Sequence, residues 1–267
     1  MKLCLIGAGN LGRALTRGWI GAGVVPPENI TATDRMPEAR GAFLALHPGL
    51  RWADTIPTAV AGADVVLWAV KPQQIHEALP EGAGAPSSCV FISVCAGVPL
   101  ARLEKLAGPT RRIVRAMPNT PALVGEGVTA LSGNANCSED DLARARTLFG
   151  AVGQVVMVAE KEMNAVTALS GSGPAFFYLL IEQMARAARE NGLESSEALR
   201  MAAQTARGAA RMILETGVPP RELMAQVTSK GGTTEAGLKV LDTERTHSLI
   251  SETIAAAAKR SAELAGS

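Results

Sequence analysis

Aromatic residues are scarce: three Trp, one Tyr and five Phe in 267 residues. So few rings cannot build the stacking platforms on which single-stranded nucleic acids lie. A charge of one sign is missing too. Lys and Arg number 26 against 25 Asp and Glu, a net +1, so no global field exists to hold a polyanion. Histidine occurs only at His47, His76 and His247, which excludes chemistry resting on a His cluster. Cys4, Cys89, Cys95 and Cys137 form no C-x-x-C pair and none sits near a His at zinc spacing, so no metal site is expected. They read as buried small hydrophobes in a reducing compartment. Arg13 and Arg17 interrupt what would be the apolar core of a signal peptide. The longest apolar run, around Val65 to Val70, falls far short of the ~20 residues of a membrane helix. These absences predict a cytoplasmic protein without nucleic-acid or membrane partners.

What is present is a folded core. Hydrophobic residues make up 47% and charged residues 19%, and the length suits one large core or a core plus a smaller helical unit. Lys2 to Ile6 is a short apolar run that stops at glycine, the mark of a buried parallel strand. Asn10 to Ala22 follows with helical spacing, Leu11, Leu15 and Trp19 sharing a face. Asn29 to Thr33 reads as a strand, Pro37 to Leu46 as a helix with proline in its first turn, and Ala63 to Val70 as a strong strand ended by Lys71-Pro72. Cys89 to Val94 and Arg112 to Ala116 add strands, and Val128 to Leu131 and Gln154 to Val158 read as later, antiparallel additions. The alternation implies βαβ units. Beyond about Ala159 only helices are expected: Pro174 to Asn191, Glu197 to Glu215, Thr233 to Leu241 and His247 to Leu264. The predicted class is α/β, with a Rossmann-type dinucleotide-binding domain over 1–159 and a smaller all-helical domain over 160–267.

Gly7-Ala8-Gly9-Asn10-Leu11-Gly12 is a full G-x-G-x-x-G between a predicted strand and a predicted helix. In that context Gly7 permits the tight turn, Gly9 lets the backbone approach a pyrophosphate, and Gly12 lets helix and strand pack closely. Asp34 lies about 22 residues past Gly12, where an acid commonly binds the adenosine ribose hydroxyls, which favours NADH. Arg35 beside it suits a 2′-phosphate, which favours NADPH, or a solvated surface charge. Both cofactors stay open. Val70, Lys71 and Pro72 reach the carboxyl edge of the sheet, where Lys71 either faces the cofactor or is a solvated turn residue.

Thr228-Ser229-Lys230-Gly231-Gly232-Thr233-Thr234 packs four hydroxyls around a Gly-Gly pair just before a predicted helix. Exposed backbone N–H groups and the hydroxyls of Ser229, Thr233 and Thr234 suit a carboxylate. A capped helix start is the alternative. Ser170-Gly171-Ser172-Gly173-Pro174 reads as a similar turn, serving either the same pocket or close helix packing.

With these segments in view, the chain resembles the pyrroline-5-carboxylate reductases over nearly its whole length. The resemblance rests on Gly7 to Gly12, Ala69 to Gln73, Arg115-Ala116-Met117-Pro118-Asn119-Thr120-Pro121, Leu169 to Ala175 and Val227 to Thr234. It implies reduction of 1-pyrroline-5-carboxylate to L-proline by NADPH or NADH, and a C-terminal helical domain that forms a homodimer or a ring of dimers with sites at the subunit interface. The family's substrate loop maps onto Ser229, Gly231, Gly232, Thr233 and Thr234, with Thr234 near the substrate nitrogen. Its cofactor loop maps onto Gly7 to Gly12, with Val70, Lys71 and Pro72 beside it, and the turn Ser93 to Gly97, containing Cys95, Ala96 and Gly97, falls near the nicotinamide. Many relatives carry Ser or Asn in place of Asp34, an Asn near Thr55-Ile56, and a proline in place of Lys230. A two-domain 3-hydroxyacid dehydrogenase is the rival, but Ala168 stands one turn after Asn164, where such an enzyme would place a lysine. A non-catalytic cofactor-binding scaffold would have no use for the second glycine motif. The last ~107 residues are thin for an independent core, so completion by a partner subunit is expected.

Overall fold

The fold is that of a computed structural model describing residues 1–266; Ser267, where the expected helical domain ends, lies outside the described residues. Eight strands form one sheet in the order β3-β2-β1-β4-β5-β6-β7-β8. In chain order the elements are β1 (Leu3–Ile6), α1 (Asn10–Gly21), β2 (Ile30–Thr33), α2 (Pro37–Leu44), β3 (Arg51–Trp52), α3 (Ile56–Val60), β4 (Val65–Trp68), α4 (Ile75–Glu81), β5 (Val90–Ser93), α5 (Leu100–Ala107), β6 (Arg112–Met117), β7 (Gly127–Gly133), α6 (Glu139–Gly150) and β8 (Gly153–Met157). The first six strands are parallel; β7 runs antiparallel to β6, and β8 pairs parallel with β7, so both late strands oppose the others. The chain leaves β3 on one side of β1 and resumes at β4 on the other. That reversal opens a crevice at the carboxyl ends of the strands.

Both faces of the sheet are covered, which is why its strands read as unbroken apolar runs rather than alternations. On one face β1 turns Leu3 and Leu5 toward Leu15 and Trp19 of α1, Phe43 of α2, and Leu148 and Phe149 of α6. On the other, Cys4 and Ile6 meet Val60 of α3, Ile75 and Leu79 of α4, and Leu100 and Leu103 of α5. Trp19 also donates its indole N–H to the Leu148 carbonyl at 2.9 Å, satisfying an orphan carbonyl in the last turn of α6.

The structure corrects several boundaries. β4 stops at Trp68, short of the expected Val70; the Ala69 amide makes one last bond to the Ile6 carbonyl at 2.7 Å before the chain bends over the β1–α1 turn. The second helix ends at Leu44 rather than Leu46. β3 and α3 through α6 carry no expectation from the sequence. Two of these starts have a local signature after the fact: the Thr55 cap of α3, and the Ser138–Asp141 capping box of α6.

Among the described residues no strand follows Met157. Met163–Val166 forms α7, and Thr167–Gly171 continues it as a π-helix, not the open turn expected around Ser170. Then come α8 (Gly173–Glu190), α9 (Ser195–Thr216), α10 (Pro220–Gln226), α11 (Thr233–Leu241) and α12 (Glu244–Gly266). Gly217 ends α9 in a left-handed conformation, φ 66°. The chain forms two compact units: Met1–Ser172 together with the chain from Ala257 onward, and Gly173–Ala256. In the second unit α8 and α9 meet through the small buried side chains of Ala185, Ala198 and Ala202. Phe177, Tyr178, Leu180, Met184, Met212 and Leu214 are exposed. The longest apolar stretch is accordingly not Val65 to Val70. The helical stretch Glu160–Glu190, 31 residues, is apolar and long enough to cross a membrane by length and composition alone, and 11% of its apolar window is buried.

Trp19→Phe strands the Leu148 carbonyl and leaves a cavity where the indole's second ring stood. It is expected to lower the unfolding free energy by about 1–3 kcal/mol in a denaturant titration.

Candidate active site

The crevice is a cavity of about 890 Å³ at the carboxyl ends of β1, β2 and β4. Its floor is the turn from β1 into α1, where three glycines serve three separate needs. Gly7 holds φ 103°, and a Cβ there would lie 2.6 Å from the Ala69 carbonyl oxygen. At Gly12 a Cβ would lie 2.4 Å from the Gly7 carbonyl oxygen. At Gly9 a Cβ would meet nothing within 4 Å, because this backbone faces the open cavity. Gly9 is also the N-cap of α1 and offers no side chain, so the first amides of the helix have no capping partner. An uncapped helix start beneath open space fits a dinucleotide pyrophosphate.

Asp34 is drawn into this turn. One carboxylate oxygen accepts from the Ala8 amide at 2.8 Å and the other from the Met36 amide at 2.9 Å. The carboxylate is thereby immobilised, with a lone pair left on each oxygen for a ribose hydroxyl. Arg35 is exposed, lines the cavity and has no ion-pair partner among the described residues. Thr55 lines the same side, and its hydroxyl caps α3 by accepting from the Thr58 amide at 3.4 Å. Sequence reasoning missed Arg13, which donates to the Ala8 carbonyl at 2.9 Å and to Asn10 Oδ1 at 2.8 Å, bracing the turn from outside.

Toward β4 and β5 the cavity is lined by Val70, Lys71 and Val94. Lys71 is exposed. Of the other expected cofactor residues, Asn10 and Leu11 line the cavity; Ala8 is buried behind the turn; Pro72, Cys95, Ala96 and Gly97 are not part of the lining. Cys95 directs its thiol at the Val70 carbonyl at 3.4 Å, and burial pushes its pKa up to about 11. Buried and bonded, it has the setting of a structural rather than a reactive cysteine. Asn119, quoted from the sequence without a role, lines the cavity and joins three segments: it donates to the Ser170 carbonyl at 3.1 Å and accepts from the Val128 amide at 2.9 Å. A Cβ at neighbouring Gly171 would lie 2.7 Å from Met117 Cε, so this glycine allows close packing.

The second motif lies in the helical unit. Gly231 takes φ 73°, and α11 begins at Thr233 with Gly232 as an N-cap that makes no side-chain bond. Thr228 spends its hydroxyl on the Met224 carbonyl at 2.6 Å. Ser229, Thr233 and Thr234 have hydroxyls without a partner among the described residues. Glu235 accepts from the Gly231 amide and pairs with Lys239 at 3.1 Å. The Gly231 bond, aided by Lys239, holds the Glu235 carboxyl below the usual range. Two helices thus start from a glycine N-cap that offers no side chain: one beneath a cavity, the other flanked by free hydroxyls.

Both ends of the chain match known families. Residues 160–264 match the family described as pyrroline-5-carboxylate reductase dimerisation, and residues 2–97 match NADP oxidoreductase coenzyme F420-dependent. The chain is 41% identical to the pyrroline-5-carboxylate reductase of Methanosarcina acetivorans over 98% of its own length and 97% of that protein's. The chain belongs to the pyrroline-5-carboxylate reductase family. Among solved structures, the Coxiella burnetii pyrroline-5-carboxylate reductase superposes with a TM-score of 0.93 at 36% identity, covering 98% of both chains. The Plasmodium falciparum pyrroline carboxylate reductase, solved with NADP bound, gives 0.87 at 29% identity, covering 99% of this chain and 98% of that one. Membership makes this chain an oxidoreductase acting on a CH–NH bond, with a Rossmann-type sheet followed by the family's helical domain.

The glycine geometry separates folding from binding. Gly9→Ala is expected to melt like the parent, because its Cβ meets nothing, and to bind reduced dinucleotide at least tenfold more weakly in a fluorescence titration. Gly7→Ala is expected to lose stability as well, about 1–3 kcal/mol from backbone strain alone.

Proposed function

We propose that the chain reduces 1-pyrroline-5-carboxylate to L-proline, the last step of proline synthesis, with NADPH or NADH as donor. One observation carries the reading: a dinucleotide turn open at Gly9 and an uncapped, hydroxyl-rich helix start at Ser229–Thr234 occur in one chain. The bound cofactor supplies a hydride. Gly7, Ala8, Gly9, Asn10, Leu11 and Gly12 hold its pyrophosphate, Asp34 and Arg35 its adenosine end, and Val70, Lys71, Pro72 and the turn Cys95-Ala96-Gly97 its nicotinamide end.

The substrate is a cyclic imine bearing a carboxylate. Once protonated, its C=N carbon is already electrophilic, so the protein needs to supply positioning rather than strong acid–base groups. Ser229, Gly231, Gly232, Thr233 and Thr234 form the carboxylate loop. Because Glu235 occupies the Gly231 amide, the carboxylate falls to the first amides of α11 and the free hydroxyls. Thr234 hydrogen-bonds the ring nitrogen and orients the C=N bond. The rival dehydrogenase reading lacks its proton acceptor: the position where its lysine would stand is Ala168, fully buried.

In this reading residues 1–159 bind the cofactor and 160–267 serve dimerisation and substrate binding. The exposed apolar residues of α8 and α9 are covered by a second subunit rather than by lipid, and the dimers form either the final state or a ring. The enzyme works in the cytoplasm.

A reduction assay with 1-pyrroline-5-carboxylate and both cofactors tests the activity. Relative kcat/KM for NADH and NADPH weighs the fixed carboxylate of Asp34 against the free cation of Arg35. Thr234→Ala is expected to raise the barrier by about 1–3 kcal/mol through one lost hydrogen bond, read as a lower kcat/KM. An unchanged rate and KM would remove Thr234 from the mechanism.

A further inference from the structure

A charged side chain stands in the middle of the sheet. Arg115 lies on β6 between Val114 and Ala116 and is 3% exposed. Burial of that kind is tolerated only with a partner. The partner is Glu160, whose Oε1 accepts from Arg115 Nη1 at 2.7 Å. The same oxygen accepts the backbone amide of Leu100 at 3.0 Å. Leu100 is the first residue of α5, whose N-cap, Pro99, makes no side-chain bond. Glu160 therefore caps α5 from 60 residues away in sequence. The pair is not optimised for stability: Arg115 Nη2 and Glu160 Oε2 are each buried without a hydrogen bond. Apolar residues of similar volume would serve stability at least as well.

What the pair holds is the connection from β5 into α5. Ser93, at the end of β5, is the register partner of Arg115. From there the chain passes Val94, which lines the cavity, then Cys95, whose amide bonds Ser93 Oγ at 3.3 Å, and Gly97, which turns at φ 73° against Leu264. It ends at the Leu100 amide on Glu160. In a sheet of this order the dinucleotide crosses β1, with its adenosine half toward β2 and its nicotinamide half toward β4 and β5. The Ser93–Gly97 turn is thus on the reacting side, remote from the pyrophosphate site at Gly9.

We propose that Arg115 and Glu160 are a positioning pair: through the Leu100 amide they fix the Ser93–Gly97 turn, and with it the nicotinamide, for hydride transfer. The proposal rests on the reductase reading. A turn that loosens leaves the pyrophosphate site intact, so rate falls while cofactor affinity stays.

The test uses the full chain with Glu160→Ala, Glu160→Gln and the double variant Arg115→Met/Glu160→Leu. In cofactor-free protein, amide hydrogen exchange over residues 94–100 is expected to quicken at least tenfold for Glu160→Ala. It should stay near the parent for Glu160→Gln, whose amide oxygen still accepts from Leu100. In the loaded enzyme, kcat for Glu160→Ala is expected to drop at least tenfold while the dissociation constant of the reduced dinucleotide changes less than threefold. The double variant keeps the test decisive if the alanine variant does not fold: its melting temperature should match or exceed the parent's while exchange stays fast and kcat stays low. Unchanged exchange in the alanine or double variant, a loss of kcat matched by loss of dinucleotide binding, or a double variant with parental kcat would each overturn the proposal. A parent chain that fails to turn over 1-pyrroline-5-carboxylate would instead overturn the reductase reading, and the exchange measurements would still decide whether the pair holds the turn.

Discussion

At Gly7 and Gly12 the backbone of the first turn passes so close to its neighbours that no side chain fits. Gly7 lies against the Ala69 carbonyl, and Gly12 lies against Gly7 itself. That closeness lets one turn gather hydrogen bonds from two strand ends: the Gly7 amide bonds the Thr33 carbonyl at 2.9 Å, and the Ala8 amide bonds Asp34. The Ala69 amide returns to Ile6 from the other side. The cavity exists because β1, β2 and β4 end together at this knot, and Gly9 stays uncovered because the knot leaves it facing outward. A methyl group at Gly7 would push apart the three strands that shape the site.

The sequence revealed features governed by local rules and hid those that depend on partners far along the chain. β1, the glycine turn and α11 were legible because apolar runs and glycines act within a few residues. β3 was not, since a two-residue edge strand has no period to detect. Arg13 was legible only as a charge, although the carbonyl it braces lies 5 residues away. The bond from the Ala8 amide to Asp34 spans 26 residues, and no pattern announces it. Arg115 did leave a signal, a lone cation inside a buried apolar strand, and such a residue asks where its counter-charge lies. The answer, Glu160, is 45 residues away and could not be read from spacing.

The helical unit illustrates a different economy. Its internal contact is a seam of alanines, which brings α8 and α9 close together but buries little apolar area per residue. The large side chains, Phe177, Tyr178, Met184 and Leu214 among them, point elsewhere. A chain that spends alanine inside and keeps phenylalanine and leucine outside is arranged for association, in keeping with the dimerisation family that this segment matches. Length already hinted at this, because the segment is thin for an independent core.

Cys95 carries a consequence of a different kind. Its sulfur is bonded to the carbonyl of Val70, a residue that lines the cavity, and burial pushes its pKa up to about 11. At neutral pH only about one such thiol in ten thousand is ionised, and the thiolate is the form that peroxides and alkylating agents attack. Oxidants and alkylating agents are therefore expected to pass over this buried sulfur, although it is bonded to a residue that lines the cavity.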